Sequence, residues 1–506
     1  MLLIGDGPLT IEDVRAVARD DAPCRLSAAA AARIRAAHAA ILALLGTAAP
    51  IYGVTTGLGA AVDTSLGADP DRQRRIPLAR AAGVGHRLPR DAVRAMILAR
   101  LSRLATGYSG LSLPMAETLV ALLNGGVTPL VPAIGSIGEA DLIPLAHVAA
   151  ILAGTGHADH CGSDLPAPEA LARAGIAVPP FGPKDGLALV SSNAASVGAA
   201  ALLAADTARA LAAALAAAAL SLEAFRGSLA PFDPRATALR PTPAQAETAA
   251  ALLAFLAGSD LPTASRRLQD PLSFRVLASV HAAAATALTQ ATALIELELN
   301  SSDDNPVITA TAALPTANFD ATALSLAIET LGQSLLRVAT ASAGRVLRLM
   351  SPATNDLPRF LAAPGRNGFA TVQKTLAALL AIIQHDAAPM PACVLPVADA
   401  IEDYASLAGP VVDKTARVLT NFRYVVAVEL MIAAQACDLR PTVKLGTGTA
   451  DLHARIRTVV PSLTEDRPTG PDIEHLAALI ADADLLPPHR ERGAALQNGT
   501  DRPETP

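Results

Sequence analysis

Apolar residues recur at intervals of three to four along most of the chain, which is the spacing of one face of a helix. Near the N-terminus the pattern carries interleaved Arg and Asp and covers 10–20, 27–45 and 90–105. Longer stretches rich in Ala and Leu cover 195–226, 243–258, 276–299, 321–350, 369–385 and 398–440. Strand-like alternation is limited to short segments near 2–4 and 307–309. The pattern predicts a mainly α protein built as a bundle of long helices.

Glycine and proline divide the chain into a loop-rich part and a more continuous helical part. Loops rich in these residues are predicted at 52–59, 81–89, 131–138 and 178–186. The composition changes near Val190. We therefore predict three parts: a loop-rich helical part over residues 1–190, a helical bundle over 191–486, and a polar, Pro-rich, disordered tail over 487–506.

The composition limits the classes of partner. The 506 residues are 51% hydrophobic but only 3% aromatic, so the core must consist largely of Ala and Leu. The net charge is −6 and there is no basic stripe, which argues against nucleic acid as a partner. The apolar run over 211–222, between Arg209 and Glu223, is shorter than a membrane span. We expect it to be a buried helix and expect no membrane association.

The cysteines and the first residues predict the compartment. Four cysteines lie far apart without a CxxC spacing, so we expect free, buried thiols in a reducing environment: Cys24, Cys161, Cys393 and Cys437. The segment MLLIGDGPLT lacks the pattern of a secretory signal. Both features predict a cytoplasmic protein.

Candidate chemistry rests on isolated polar residues, because motifs for phosphate loops, zinc proteases and serine hydrolases are absent and metal ligands are not clustered. Tyr52 precedes a Gly-rich turn and is either a catalytic group or a loop anchor. Arg275 in QDPLSFR suits a bidentate clamp on a carboxylate, the alternative being a surface arginine. The polar turn 298–308 is either a cap network or a ligand site. Glu402 and Lys374 lie in apolar regions, where a charge is paired or functional. No metal site is expected.

Taken in order, these segments resemble the aromatic amino acid ammonia-lyase family, and histidine ammonia-lyase above all, from about residue 5 to 485. YGVTTGLG resembles the loop of the family's catalytic tyrosine, and QDPLSFR resembles its QDxYSLR. The other matching segments are ARAAGVG, GLALVSSNAAS, ELNSSDDNPVI, NFDATALSLAIETLG, NGFATVQ and AIEDYAS. The resemblance implies the family's fold, a bundle of long helices like that of histidine ammonia-lyase.

The segment GSIGEADLIPLAH, from Gly135 to His147, departs from the family where its electrophile forms. Family members have Ala-Ser-Gly there. These residues cyclise to methylidene-imidazolone (MIO), because the glycine nitrogen attacks the alanine carbonyl and the serine loses water. Between Gly138 and Asp141 this chain has only Glu139-Ala140, so the loop is one residue shorter and lacks the serine and the glycine. We therefore expect no MIO and no other cofactor.

Other positions of the implied substrate site are retained or exchanged. Arg80 stands where the family has histidine, Leu272 where it has tyrosine, and Ser191 where it has asparagine, with Asn193 two residues later. The residues that match the family are Tyr52, Gln269, Arg275, Asn305, Phe319 and Glu402. The base, the carboxylate clamp and the distal acid are thus kept while the electrophile is lost, which favours changed chemistry over decay.

A quaternary trimethylammonium substrate explains this combination. Its nitrogen has no lone pair with which to form an adduct on MIO, and it departs as neutral trimethylamine without that help. The remaining step is the removal of a β-proton by a positioned base. The resemblance therefore implies the branch without MIO, typified by ergothionase, and the conversion of ergothioneine, a betaine of thiolated histidine, to thiolurocanate and trimethylamine.

The resemblance also implies roles for the individual residues. Tyr52 is expected to be the base, with a neighbouring cation to ease loss of its proton, and Arg275 to clamp the substrate carboxylate. Glu402 is expected to be a third catalytic group, at the thioimidazole ring, where Arg80 or Lys374 are the alternatives. The expected substrate-binding residues are Arg80, Ser191, Asn193, Gln269, Asn305, Phe319, Lys374 and Glu139.

The acids of the altered loop have two interpretations. Glu139 or Asp141 offers negative charge to the quaternary ammonium group, or both are caps and salt-bridge partners, which is the commoner role of acidic loop residues. Two further classes of function stay open. The chain is a lyase or mutase acting on another amino acid or betaine such as hercynine, or it is a non-catalytic scaffold or binding protein. The family also implies a homotetramer with shared active sites and a small-molecule substrate.

Overall fold

Helices make up most of this computed structural model, which describes residues 1–47, 49–66, 70–391, 395–482 and 485–486. The predicted tail over 487–506 and Cys393 lie outside the described residues. The mainly α class is confirmed. The helices of the first half are α1 Ile11–Arg19, α2 Ala28–Leu45, α3 Pro70–Arg80, α4 Arg90–Leu104, α5 Leu113–Asn124, α6 Leu142–Leu152, α7 Ala167–Arg173, α8 Asp185–Val190, α9 Ala194–Phe225 and α10 Pro234–Thr237.

The second half continues with helices that include three of the longest ones. They are α11 Gln245–Phe255, α12 Leu261–Ala264, α13 Leu272–Arg275, α14 Leu277–Leu299, α15 Thr322–Leu349, α16 Val372–Asp386, α17 Ala408–Asp438, α18 Thr447–Val459 and α19 Gly470–Ala481. Short 3₁₀ helices cover Gly59–Ala61, Ala230–Phe232 and Arg359–Leu361.

The strands are short and form small pairs and one three-stranded sheet. They are β1 Leu2–Ile4, β2 Cys24–Leu26, β3 Val84–Arg87, β4 Val127–Pro129, β5 Pro132–Ile134, β6 His157–His160, β7 Ser163–Pro166, β8 Val307–Ile308 and β9 Ala313–Leu314. β1 and β2 pair in parallel, whereas β3 with β5, β4 with β6, β6 with β7, and β8 with β9 are antiparallel. The alternation seen near 2–4 and 307–309 corresponds to β1 and β8.

The ends of the helices follow local capping chemistry. The Thr10 side chain accepts from the Asp13 amide, and the Asp13 carboxylate accepts from the Thr10 amide, which fixes the start of α1. The Ser27 hydroxyl accepts from the Ala30 amide at the start of α2. The predicted helix over 398–440 begins only at Ala408. Residues 398–400 and Leu407 have positive φ angles, which a continuous helix cannot contain.

The chain forms two compact units that alternate along the sequence. The first contains Met1–Ala205, Ala291–Ile328 and Met390–Asp413. The second contains Asp206–Gln290, Glu329–Pro389 and Lys414–Pro506. The first unit thus extends past the predicted boundary at Val190 and includes two later segments.

Some helices are buried on every side. All residues of α4 from Val93 to Leu104 are buried in the first unit, and they include Arg94, Arg100 and Arg103. In the second unit, Arg345 and Glu429 form a fully buried ion pair, with 2.6 Å between Nε and Oε1. A buried arginine is stable only when its charge and donors are paired, and α4 supplies the site with such pairs.

Within the described residues, three helical stretches are long and apolar enough to cross a membrane: Ala28–Leu45, Asp185–Phe225 and Ala408–Asp438. The run over 211–222 is part of the second stretch, so the prediction that it is too short for a span is wrong. Its predicted burial is confirmed, because 89% of the apolar window lies inside the protein. Cys24 and Cys437 are free and buried, as expected, but Cys161 is exposed.

Candidate active site

Tyr52 lies in a loop that α3 holds in place. Its hydroxyl oxygen accepts a hydrogen bond from the Gly59 amide at 3.1 Å. Gln73 of α3 donates to the Gly53 carbonyl at 2.9 Å, and Arg72 donates to the Val54 carbonyl. The hydroxyl is therefore placed by its own loop, and the loop by the helix. This geometry suits a positioned base as well as an anchor.

Arg80, at the end of α3, lies within electrostatic reach of Tyr52 and Glu402. Burial lowers the pKa of the Arg80 guanidinium, whereas Tyr52 and Glu402 act in the opposite direction. A Cβ atom on Gly59 would lie 4.0 Å from Oε1 of Glu402, so the Tyr52 loop also lies close to this carboxylate. The structure thus brings Tyr52, Arg80 and Glu402 together in the first unit.

The loop 135–141, called the altered loop below, has a backbone that few residues can adopt. Gly138 has a φ of 82°, and a Cβ there would lie 2.4 Å from the Ala408 amide nitrogen, so only glycine fits. Ala140 has a φ of 58°, in the left-handed region that disfavours a side chain. Such a conformation persists only when surrounding groups hold it.

Glu139 is the acid that the altered loop presents. One carboxylate oxygen, Oε1, accepts from the Ser406 amide at 2.8 Å, and within the described residues Oε2 has no hydrogen-bond donor. Burial raises the pKa of the Glu139 carboxyl to about 7, and the negative charges of Asp320, Asp141 and Glu402 add to this effect. This carboxylate is therefore half-buried and close to other carboxylates, and among the described residues it forms no salt bridge.

Asp141 has the opposite environment. It accepts from the Ser136 hydroxyl at 2.5 Å, from the Ser196 amide at 2.7 Å and from the Ser196 hydroxyl at 2.9 Å. Burial raises the pKa of its carboxyl, and these hydrogen bonds oppose the rise. All of these donors come from the protein, so the second interpretation of the acids, a structural cap, describes Asp141.

Asn193 binds the altered loop to the turn before α15. Its Oδ1 accepts from the Ala140 amide at 2.8 Å, and its Nδ2 donates to the Phe319 carbonyl. Ser191 is buried at the end of α8, and Asn305 accepts from the Thr316 amide at 3.1 Å. The predicted residues Asn193, Phe319 and Glu139 are thus parts of one hydrogen-bonded neighbourhood.

The remaining predicted residues belong to the second unit. Gln269 is exposed, Arg275 is half-buried at the end of α13, and Lys374 is exposed on α16. Their predicted roles as carboxylate clamp and ring contact stay predictions.

A buried ion network next to Asn193 was not predicted. Asp303 accepts from the Ser192 hydroxyl and the Asn193 amide, each at 2.7 Å, and pairs with Arg103. Asp304 pairs with Arg100 at 2.9 Å. The interpretation of 298–308 as a cap network is incomplete, because Asp303 and Asp304 pair with arginines of α4. Arg100 and Arg103, which lie three residues apart among mostly apolar neighbours in α4, were the signal that could have found the network.

The chemistry of the altered loop does not fit MIO. Cyclisation needs a serine that loses water and a glycine nitrogen free to attack, and residues 139–141 are Glu, Ala and Asp. The Ala140 N–H donates to Oδ1 of Asn193. Both oxygens of the Asp141 carboxylate accept hydrogen bonds, from Ser136 and Ser196. Within the described residues there is also no group of three or more His, Cys, Asp or Glu side chains arranged to hold a metal ion.

Known proteins match this chain over almost its whole length. The profile of the family described as aromatic amino acid lyase matches residues 9–458. Histidine ammonia-lyase of Anaeromyxobacter dehalogenans is 38% identical over 505 residues, covering 96% of this chain and 99% of that protein. Histidine ammonia-lyase of Treponema denticola is 36% identical over 482 residues, covering 94% and 95%.

Solved structures share the fold. Ergothionase from Treponema denticola, an ergothioneine-degrading enzyme solved with desmethyl-ergothioneine sulfonic acid, has a TM-score of 0.91 and 32% identity over 96% of this chain and 99% of its own. Histidine ammonia-lyase from Trypanosoma cruzi has a TM-score of 0.88 and 26% identity over 100% and 99%. The resemblance inferred from the sequence segments is confirmed. The chain belongs to the aromatic amino acid lyase family and is a carbon–nitrogen lyase.

Proposed function

We propose that this lyase eliminates trimethylamine from ergothioneine, a histidine-derived betaine, and does so without MIO. The observation that carries the proposal is the altered loop. It has lost the residues that form the electrophile, yet it carries a carboxylate, Glu139, that interacts electrostatically with Glu402, and Glu402 interacts with Arg80. A site that keeps its base and replaces its electrophile with negative charge suits a cationic leaving group.

The reaction needs a base and a place for the cation. Tyr52 takes the β-proton, the electrons of the C–H bond form the new C=C bond, and the electrons of the C–N bond leave with nitrogen as neutral trimethylamine. General base catalysis of this kind contributes about 10²–10⁴-fold to a rate. The proximity of Arg80 to Tyr52 supports this role, since a cation stabilises the phenolate that removes the proton.

Glu139 holds the trimethylammonium group in this proposal. Its uncompensated carboxylate attracts a quaternary cation, which needs no hydrogen-bond acceptor and carries its charge over the methyl groups. Glu402, close to Arg80 and the Tyr52 loop, is placed to contact the ring. Asp141 is not assigned to the substrate, because Ser136 and Ser196 already occupy its oxygens.

The proposal also assigns roles to three residues of the second unit. We assign the substrate carboxylate to Arg275 with Gln269, and ring contact to Lys374, in a cytoplasmic homotetramer with shared active sites. One feature supports association of copies: α16 exposes the apolar residues Ala377, Ala378, Ala381 and Ile382. Neither nucleic acid nor membrane is a proposed partner.

A substrate panel tests the proposed function. Purified protein is incubated separately with ergothioneine, hercynine and histidine, and trimethylamine, ammonia and the matching acrylates are quantified by mass spectrometry. We expect trimethylamine and thiolurocanate from ergothioneine and no urocanate from histidine. Faster turnover of hercynine than of ergothioneine would identify the substrate as a betaine without sulfur. Ammonia and urocanate from histidine would overturn the proposal in favour of the activity named for the sequence relatives. Binding without any product would favour the scaffold alternative.

A further inference from the structure

The altered loop is held from two sides by residues that do not need to touch the substrate. On one side, Asn193 is fully buried and its amide is engaged at both ends, by the Ala140 amide and the Phe319 carbonyl. On the other side, the Ser406 hydroxyl donates to the Gly138 carbonyl at 2.6 Å. The Leu407 amide donates to the Ile137 carbonyl at 3.0 Å.

These hydrogen bonds involve residues of the altered loop whose backbone φ angles are unfavourable. Gly138 and Ala140, the residues on either side of Glu139, both have positive φ angles. Asn193 Oδ1 accepts from the amide of Ala140, and the Ser406 hydroxyl donates to the carbonyl of Gly138. The Ser406 amide also donates to the Glu139 carboxylate itself. The peptide groups on either side of Glu139 are therefore held by Asn193 and Ser406, and its carboxylate is held by Ser406.

Asn193 is itself fixed by the buried ion network. Its backbone amide donates to Asp303, which pairs with Arg103 of α4. The clamp is therefore connected through Asp303 to the buried helix α4 of the first unit. A network of paired buried groups resists displacement, because breaking one contact leaves another group unsatisfied.

We propose that Asn193 and Ser406 are positioning residues that clamp the altered loop in the shape which presents Glu139. The part of this inference that concerns turnover rests on the proposed function, in which Glu139 meets the substrate cation. The shape of the loop is testable without any substrate. Asn193 then acts through the loop and is not a substrate ligand, because both of its amide atoms are already occupied.

Hydrogen exchange tests the clamp directly, since the Ala140 amide proton is itself one of the clamped groups. Exchange is followed by mass spectrometry on peptides covering 135–142 in the full-length protein. We expect exchange at least tenfold faster in Asn193→Ala and several-fold faster in Ser406→Ala. The matched control is Ser221→Ala, because the Ser221 hydroxyl is buried and donates to the ion-paired Glu429 but belongs to the second unit and has no hydrogen bond to the altered loop or to the Asp303 network. Its exchange over 135–142 is expected to match the wild type.

The pH dependence of kcat/KM distinguishes a positioning role of Asn193 and Ser406 from a general loss of structure. The charged groups around Glu139 are Asp320, Asp141 and Glu402, with Arg80 beside Glu402. In the wild type, kcat/KM for ergothioneine should fall as the pH drops through about 7, when Glu139 takes up a proton. In Asn193→Ala and Ser406→Ala the Glu139 carboxylate becomes more exposed to water, so its pKa should fall. The decline of kcat/KM at low pH, called the acid limb below, should then move to lower pH. The maximum of kcat/KM should also be lower than in the wild type. Ser221→Ala should keep the wild-type limb.

The outcomes are distinguishable. Unchanged exchange over 135–142 in both clamp variants overturns the inference whatever the activity. Loss of activity with the acid limb unmoved assigns the two residues a merely structural role and also overturns it. If Asn193→Ala does not fold, Ser406→Ala, which removes only a hydroxyl, still decides the question. Faster exchange together with no trimethylamine from any variant or the wild type keeps the clamp and rejects the proposed function.

Discussion

Two groups of charged residues in the first unit differ in how completely their members are paired. Around α4, Arg100 and Arg103 are matched by Asp303 and Asp304, and every partner is buried. Around the altered loop, Glu139 faces other carboxylates and receives one backbone hydrogen bond. The first group has what a buried charge needs for stability, whereas the second has an excess of negative charge.

The difference separates structural charge from functional charge. A buried acid that is fully paired has nothing left to offer a ligand, and Asp303 and Asp141 are of this kind. A half-buried acid that lacks a cation is unfavourable in its charged form, and either a proton or a bound cation relieves it. Within one short loop, Asp141 and Glu139 illustrate both cases, although the sequence alone gave them the same two interpretations.

The largest effect is expected from breaking the paired group. Asp303→Ala leaves Arg103 and Arg100 buried without one of their partners, which typically costs about 3–5 kcal/mol in the free energy of unfolding. Urea denaturation followed by circular dichroism measures this loss. The control is Glu169→Gln, in an exposed i,i+4 pair with Arg173, where the change should stay below about 0.5 kcal/mol. Equal losses in both variants would contradict the assignment of Asp303 as a structural acid.

The base should show the next largest effect. Tyr52→Phe removes the hydroxyl and is expected to lower kcat for trimethylamine release by about 10²–10⁴-fold, with the melting temperature nearly unchanged. Tyr108→Phe is the matched control, because Tyr108 is exposed and carries no proposed role. Wild-type turnover in Tyr52→Phe would remove Tyr52 from the mechanism and leave it as a loop anchor.

The unpaired acid should affect binding of the cation by a smaller factor. Glu139→Gln keeps the shape and removes the charge, so KM for ergothioneine should rise about tenfold, equivalent to about 1.4 kcal/mol. The acid limb of kcat/KM near pH 7 should disappear in the same variant, since the titrating group is gone. A profile identical to that of the wild type would assign the limb to another group.

The smallest expected effect is on stability, and its sign is opposite to that of Asp303→Ala. The pKa of Glu139 is raised from 4.5 to about 7, so the folded protein favours the protonated carboxyl and loses stability as the pH rises through this range. Glu139→Gln should therefore be more stable than the wild type at pH 8, by about 1 kcal/mol after allowance for solvent screening. Near pH 4.5 the two proteins should melt alike. A destabilised Glu139→Gln at pH 8 would show that Glu139 is already paired.

The sequence predicted those parts of the fold that depend on local periodicity. The helices over 194–225, 277–299 and 322–349 agree with their predicted ranges to within one residue. The predicted range 398–440 failed at its start, because an apolar composition does not reveal the positive φ angles at 398–400. These angles depend on tertiary contacts.

The candidate site was predicted as a set of residues but not as a set of contacts. The motifs indicated Tyr52, Glu139 and Asn193, and they lie in one unit with Glu402. The motifs could not show that Asn193 has no free amide atom, nor that Ser406 holds Glu139. The Asp303 network joins segments about 200 residues apart, a separation that motif spacing cannot resolve.

The central claim is that carbon–nitrogen cleavage proceeds here without a cyclised electrophile. The most direct measurement combines the intact and peptide mass of the purified protein with trimethylamine release from ergothioneine by the same preparation. The account predicts a peptide over 135–147 with the mass of its unmodified sequence, in protein that releases trimethylamine. A mass deficit equal to lost water at residues 139–141, or ammonia from histidine as the only product, would contradict it.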